Sequence, residues 1–476
     1  MAAIDTRAAS PVASDQTDAD LLTALLPGAA ASAWWGERPK TSGDYRRDID
    51  TFGRSWQQGS ALLAVLPKKP ARNAAQACAA ALIQRTDRAA RDAFLKAHTE
   101  TLYRALTKDF TAFLRVADLV YAAAREVPGL VPTREQVARE SVLVQRDKEG
   151  VEIEQGILLS HVFDHPAAGA HLCHAMLLPR QQSLELLPRF IERGRLDLDG
   201  ASIERRGQAA YVTMRNPRFL NAEDTSTIPD QEVAVDLATL DRESDIAVLR
   251  GDISEKPKYR GRHVFSAGIN LTHLYYGKIP FVWYIERDMG MVNKLLRGLS
   301  PPESPPDVVP INSVEKPWIA VVEEFAIGGG CQILLAVDYV LAAHDAYMTL
   351  PARKEGIIPG LANLRLPRFV GDRIARQAIM YGRRLDCDTP EGRLICDEIA
   401  PAGEMDAAIA RVVENFTSSG VVSAVGNRRA VRIGQEPLDL FRRYMAVYTR
   451  EQAYCHFSPA LIGNLERHWN AHKRVA

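Results

Sequence analysis

The sequence predicts an α/β core with helices at both ends. Three observations carry this. Before residue 200 the apolar residues recur every three or four positions. After it, short β-branched runs alternate with helical stretches, the pattern of parallel strands joined by helices. Beyond about residue 430 the helical spacing returns. The implied division is a helical region over residues 1–200, an α/β core over 201–430 and a helical segment over 431–476.

Residues 1–20 mix Ala, Ser and Asp with Arg7 and Pro11; they have no apolar signal core and predict a frayed, disordered leader. Residues 73–84 are rich in Ala, which has the highest helix propensity. Leu102, Leu106, Phe110, Phe113, Ala117 and Val120 are spaced by three or four, which predicts one helix face. Pro70, Pro128 and Pro132 punctuate these stretches. Ala201–Arg206 and Ala209–Met214, parted by Gly207, predict two short strands. Further strands are expected at 245–249, 263–266, 318–322 and 337–342, with helices at 283–297 and 331–336 between them. In the tail, Phe441, Tyr444, Met445 and Tyr448 share one helix face, and residues 461–474 predict a last helix.

Composition narrows the function classes. The 476 residues carry 59 Lys+Arg against 59 Asp+Glu, a formal net charge of zero. Nothing in that balance drives the chain toward nucleic acid or an anionic membrane. No run of about 18 apolar residues occurs, so no membrane-spanning helix is expected. The six cysteines (Cys78, Cys173, Cys331, Cys387, Cys396 and Cys455) include no C-x-x-C pair. Scattered single thiols suit a packing role in a reducing cytoplasm.

Two loops point to chemistry. Phe265-Ser266-Ala267-Gly268-Ile269-Asn270-Leu271 ends in a small-residue turn before the next helix. Gly268 permits a backbone conformation closed to other residues and would turn the Ile269 amide outward as a donor. Ala326-Ile327-Gly328-Gly329-Gly330-Cys331-Gln332 follows the run Trp318–Val322. Glycines there present free N–H groups at a helix start, a place for negative charge on oxygen. No G-K-[ST] follows, and the spacing is not G-x-G-x-x-G with a downstream acid, so neither a nucleotide P-loop nor a dinucleotide site is indicated. A simple turn and close helix–strand packing are the plainer readings of each loop alone. Together, two donors from two loops can form an oxyanion hole for an enolate or a tetrahedral intermediate.

Four segments, in order, resemble the motifs of the crotonase (enoyl-CoA hydratase/isomerase) family. They are Met214-Arg215-Asn216-Pro217-Arg218-Phe219-Leu220-Asn221-Ala222, the stretch 266–271, the stretch 326–332, and Leu350-Pro351-Ala352-Arg353-Lys354-Glu355-Gly356-Ile357-Ile358-Pro359-Gly360. Tyr381-Gly382-Arg383-Arg384-Leu385 through Asp397-Glu398 resembles the segment that follows them. The resemblance implies a crotonase-like ββα spiral core with an N-terminal all-helical domain and C-terminal helices. It implies that the amides of Ile269 and Gly329 bind a thioester oxygen, with Ala267, Gly268, Asn270 and Gly330 against the substrate.

Two departures refine this. Hydratases of the family carry catalytic glutamates where this chain has Gln332 and Ala352. Water addition needs a positioned acid and base, and neither residue can serve. These losses, the long helical N-terminal region and the text around 267–270 and 356–360 resemble one branch, the cofactor-independent arylacetyl-CoA dioxygenases. That implies conversion of 3,5-dihydroxyphenylacetyl-CoA and O₂ to 3,5-dihydroxyphenylglyoxylate and coenzyme A, in the making of an antibiotic amino acid. No metal or flavin is expected: coenzyme A arrives as part of the substrate and O₂ is the co-substrate. The resemblance also places Glu223 and Arg287 at the ring hydroxyls, with Gln332 orienting substrate or a peroxide. Ile357 and Ala352, with the Ile269 side chain, are expected to wall a dry oxygen pocket. More ordinary roles stay open: core packing for Ile357, pairing of Arg287 with Glu286 or Asp288, and helix capping by Glu223.

Rival readings keep the fold but change the reaction to a thioesterase, isomerase or decarboxylase, or leave only acyl-CoA binding. Another is a metal site built from His161, His165, His171 and His174 with Asp164 and Cys173. Pro166 disfavours helix at His165, and no metal-binding motif is present. Arg218 and Lys473 are candidates for the coenzyme A phosphates, or simply solvated charges. The resemblance further implies a homo-oligomer, a trimer or dimer of trimers, in the cytoplasm, with no nucleic-acid or membrane partner.

Overall fold

The computed structural model describes residues 15–304 and 312–474. Its centre is a seven-stranded sheet in the order β1-β2-β3-β4-β5-β7-β10. The strands are β1 (Arg195–Asp197), β2 (Ala201–Arg206), β3 (Ala209–Met214), β4 (Ile246–Gly251), β5 (Trp318–Val322), β6 (Phe325–Ile327), β7 (Tyr339–Ala343), β8 (Tyr347–Thr349), β9 (Leu385–Asp386) and β10 (Glu398–Ala400). β1, β2 and β3 pair antiparallel; from β3 onward every neighbour is parallel. A second, three-stranded sheet has the order β6-β8-β9.

The expected α/β class is therefore borne out, and β2, β3 and β5 have the expected bounds. β5 is buried along its whole length, which is why its sequence is continuously apolar rather than alternating. Polar residues cannot face solvent from a central parallel strand covered on both faces.

Other expectations are corrected. Residues 263–266 form no strand; they contribute only single bridges, Ile253 to His263 and Ser266 to Ala326. The helix predicted through residues 102–120 is broken. One helix, Ala74–Leu106, ends at Thr107, and the next is Val116–Glu126. Lys108, Asp109 and Phe110 between them have positive φ. Phe110 and Phe113 keep the apolar period because both pack on the His171 ring, at 5.3 and 4.9 Å. Burial thus imitated helical spacing across a turn. Of the expected leader, residues 1–14 lie outside the described residues, but residues 15–20 begin a helix, Asp15–Leu25. The last helix is Pro459–Trp469 rather than 461–474, followed by a short 3₁₀ turn.

The helical layers pack onto the core at specific points. Helix Ile153–Asp164 runs against helix Leu438–His456, and helix Val116–Glu126 against helix Phe281–Arg287. Helix Ile228–Leu240 covers β2 and β3. Its buried Glu232 and Asp236 both pair with Lys294 at 2.7 Å, and Glu232 also takes Arg115 at 2.8 Å and Arg180 at 2.9 Å. Buried charges persist only when paired in this way. Arg115 and Arg180 bring this network to the core from the helical region.

Candidate active site

Three loops meet at the carboxyl ends of the central strands. The Glu223 N–H donates to the Gly268 carbonyl at 2.7 Å, and the Asn270 N–H donates to the Glu223 carbonyl at 2.8 Å. The Ile327 N–H donates to the Ser266 carbonyl at 2.9 Å. Gly268 has φ +76°, and a Cβ on it would lie 2.7 Å from the Ile327 carbonyl oxygen and 3.0 Å from the Gly329 nitrogen. Only glycine fits there, because the two loops touch backbone to backbone.

That contact orients two amides. The Gly268 carbonyl is held by the Glu223 N–H, so the Ile269 N–H, trans to it across the same planar peptide, points the opposite way. The Gly328 carbonyl accepts from the Gln332 N–H at 3.1 Å, the first bond of helix Gly329–Leu334. The Gly329 N–H is therefore the free first amide of a helix. Among the described residues neither N–H donates to any protein group. The helix begins at Gly329, two residues before the predicted start, so the glycines form its first turn rather than a loop before it.

Behind the amides lies a charged cluster. Arg287 Nε and Nη2 donate to Glu223 Oε2 and Oε1 at 2.9 and 3.0 Å. Nη1 donates to Asp288 Oδ1 at 2.7 Å and to Gln332 Oε1 at 2.8 Å, and Nη2 also reaches the Gly329 carbonyl at 2.9 Å. The five donors of the guanidinium are thus all used. Burial alone would lower the Arg287 pKa, but Glu223 and Asp288 raise it, so its charge is secure. Burial pushes the Asp288 carboxyl up against the pull of Arg287, and its Oδ2 has no hydrogen-bond partner. A π-helical turn, Asp288–Val292, follows Arg287. Arg287 and Asp288 both line the same cavity, together with Trp283 and Tyr284 one turn earlier.

This inner cavity, of about 450 Å³, is also walled by Glu223, Ile269, Gly329, Gln332, Ala352 and Ile357. A wider cleft of about 1650 Å³ adjoins it, lined by Ala267, Ile269 and Asn270 and by Lys256, Lys354 and Arg474. Ile269 and Glu355 line both spaces.

The candidate residues fall into distinct places. Glu223, Arg287, Gln332, Ile357, Ala352, Ile269 and Gly329 converge on the inner cavity. Gly268 and Gly330 pack behind it, Gly330 against Ser266. The Asn270 side chain is fully engaged: Oδ1 accepts from the His273 N–H at 3.2 Å and Nδ2 donates to Asp224 at 2.9 Å. Those bonds shape the loop, and the residue lines the cleft. Of the alternatives for Arg287, pairing with Asp288 is present, alongside the Glu223 pair that sequence spacing had not shown.

Arg218 and Lys473 are exposed and line neither space. The cations at the cleft are Lys256, Lys354 and Arg474, which carry no distinguishing sequence signal. The sequence marks Glu355 only as one residue of the fourth family-like segment, 350–360. Its carboxylate has no hydrogen-bond or ion-pair partner among the described residues, and burial alone pushes it up to about 7.

The four histidines do not converge. His161 bonds Asp92 at 2.8 Å, and His165 caps helix Pro166–Leu177. His171 bonds Tyr103 and the Phe110 carbonyl at 2.8 and 3.0 Å, while His174 lies against the Phe113 ring. Among the described residues no three His, Cys, Asp or Glu side chains group as a metal site, and no helix is long and apolar enough to cross a membrane.

Residues 204–432 match the enoyl-CoA hydratase/isomerase family. The chain is 45% identical over 419 residues to a (3,5-dihydroxyphenyl)acetyl-CoA 1,2-dioxygenase of Amycolatopsis orientalis, which covers 88% of this chain and 95% of that relative. It is 25% identical over 244 residues to a short-chain-enoyl-CoA hydratase of Clostridium acetobutylicum, covering 51% of this chain and 84% of the relative. A solved enoyl-CoA hydratase from Mycobacterium avium subsp. paratuberculosis is similar over 56% of this chain and 98% of its own, at 22% identity and a TM-score of 0.46.

Proposed function

The chain belongs to the enoyl-CoA hydratase/isomerase (crotonase) family, and we infer that it is a dioxygenase acting on 3,5-dihydroxyphenylacetyl-CoA. It converts that thioester and O₂ to 3,5-dihydroxyphenylglyoxylate and free coenzyme A. One observation carries this reading: the likeness to the dioxygenase spans 88% of the chain and so includes most of the helical region, whereas the likeness to the hydratase spans 51%.

The chemistry follows from the two amides. A thioester oxygen between Ile269 and Gly329 gains most from them when it becomes an enolate oxygen, so the α-carbon is acidified. One such donor contributes on the order of 10²–10³ in rate. The aryl ring spreads the charge further, and the electron-rich enolate passes electrons to O₂. The new Cα peroxide attacks its own thioester carbon, and coenzyme A leaves. The O–O bond then breaks as the second α-proton departs, leaving the α-keto acid. The atoms balance: both oxygens enter the product, one α-proton ends on the thiol and one in solvent. The substrate itself is the reductant, so no metal or flavin is required.

The Glu223–Arg287 pair keeps acceptor lone pairs on Glu223 for a ring hydroxyl. Arg287, with its donors all used, acts by holding Glu223 and Gln332 in place. Ile357 and Ala352 give O₂ an apolar wall beside the α-carbon.

The same reading divides the chain near residues 200 and 430, places it in the cytoplasm and assembles it as a trimer or dimer of trimers. Exposed Met380, Tyr381 and Val422 are apolar side chains that contacts between copies would cover. Supplying the arylacetyl thioester under air tests the function: O₂ uptake should match thiol release one for one. Thiol release without O₂ uptake would assign a thioesterase instead.

A further inference from the structure

Enolate formation needs a group to take the α-proton, and the cavity offers few. Glu223 is held by Arg287 at both carboxylate oxygens and Asp288 at one, so each is paired with a cation, and neither lines the outer cleft. Gln332 cannot accept a proton, and its oxygen is occupied by Arg287. Burial drives the Tyr284 and Tyr448 hydroxyls well above their ordinary range, so neither is a phenolate. Glu355 remains. It closes the short helix Ala352–Glu355, three residues after Ala352 and so on the same helix face. Arg353 and Lys354 between them are exposed. Helix Pro459–Trp469 packs over this turn, with Asn464 donating to the Arg353 carbonyl at 3.3 Å.

Position singles Glu355 out. Among the described residues, only Ile269 and Glu355 line both the inner cavity and the outer cleft. Ile269 lends the amide that grips the thioester oxygen, so Glu355 stands where acyl group and coenzyme A join. We propose that Glu355 is the proton acceptor for the α-carbon and returns that proton to the departing thiolate.

The Cα–H bond breaks, the proton passes to a Glu355 carboxylate oxygen, and the electron pair stays on the enolate. When the peroxide displaces coenzyme A, the thiolate takes the proton and the carboxylate is restored. A carboxyl raised by burial toward neutrality is matched to both steps, since a thiol is the weaker acid of the two. Taking the proton neutralises Glu355 and moves the negative charge onto the enolate, whose oxygen the two amides hold.

The inference rests on the dioxygenase reading, and the test separates the two. The variants E355Q and E355D are compared with wild type in three measurements: anaerobic exchange of the α-protons into D₂O by NMR, O₂ uptake under air, and calorimetric binding of a thioether analogue that lacks the carbonyl. E355Q should slow exchange and O₂ uptake alike by about 100-fold or more. Its affinity for the analogue should stay within about three-fold, and E355D should recover part of the exchange. Exchange in E355Q within about three-fold of wild type overturns the proposal. So does a loss of exchange accompanied by an equal loss of analogue binding. Wild-type protein that exchanges α-protons but consumes no O₂ overturns the dioxygenase reading instead, and leaves Glu355 as the acceptor.

Discussion

The Glu223 N–H donates to the Gly268 carbonyl at 2.7 Å, and the Glu223 carboxylate grips Arg287 at two points. One residue therefore fixes the peptide that ends in the Ile269 amide and, through Arg287, the carbonyl of Gly329. The first donor peptide hangs on Glu223 directly; the second, Gly328–Gly329, is held by the Gln332 N–H on the Gly328 carbonyl, with Arg287 bracing the next carbonyl along.

Gly329 tests this directly. A Cβ at that position would lie 2.0 Å from Glu223 Oε2 and 2.9 Å from Arg287 Nη2, and neither group is free to move. The variant Gly329→Ala should lose on the order of 10²–10³ in kcat, read as O₂ uptake, with its circular dichroism unchanged. Full activity would show that no carbonyl is held there.

Removing Arg287 strands buried charge. Arg287→Met leaves Glu223 and Asp288 unpaired beside each other, which costs about 3–5 kcal/mol. Denaturant unfolding measures it as a fall in midpoint at constant slope. Glu223→Gln should cost less, because the amide oxygen still accepts from Arg287.

Ala352 and Ile357 separate proton removal from oxygen capture. Ala352→Glu or Ile357→Asn brings polar atoms and water into the inner cavity. Each should cut O₂ uptake at least about ten-fold while anaerobic α-proton exchange stays within about three-fold of wild type. An equal loss of both would place these residues at the proton-transfer step.

Acid should loosen the Ile269–Asn270 turn. Burial works to raise the Asp224 carboxyl, but hydrogen bonds from His273, Ser226 and Asn270 outweigh it and hold it at about 2 instead of 3.8. The folded-state value is depressed, so this contribution is complete above the unfolded value and is lost as pH falls from about 4 toward 2. It amounts to about 2 kcal/mol. The variant Asp224→Asn should show a shallower loss of stability across that window in urea titrations at successive pH values, and a lower kcat at neutral pH.

The local devices of this protein were legible in its sequence. A Gly before Ile269 and glycines at the start of Gly329–Leu334 mark strained turns and free amides, because φ and a missing Cβ are properties of the residue itself. β2, β3 and β5 were legible for equally local reasons: Gly207 parts β2 from β3, and β5 is a contiguous apolar run. What tertiary structure alone decided is who pairs with whom. Glu223, Arg287 and Gln332 lie far apart in the chain, and no spacing says that one guanidinium will use every donor on them and on Gly329. Glu355 is the sharper case. Its sequence context is a basic, unremarkable helical turn, and only its place on the wall of both spaces sets it apart. Backbone conformation is encoded within a few residues, whereas the environment of a buried charge is made by whatever the fold brings beside it.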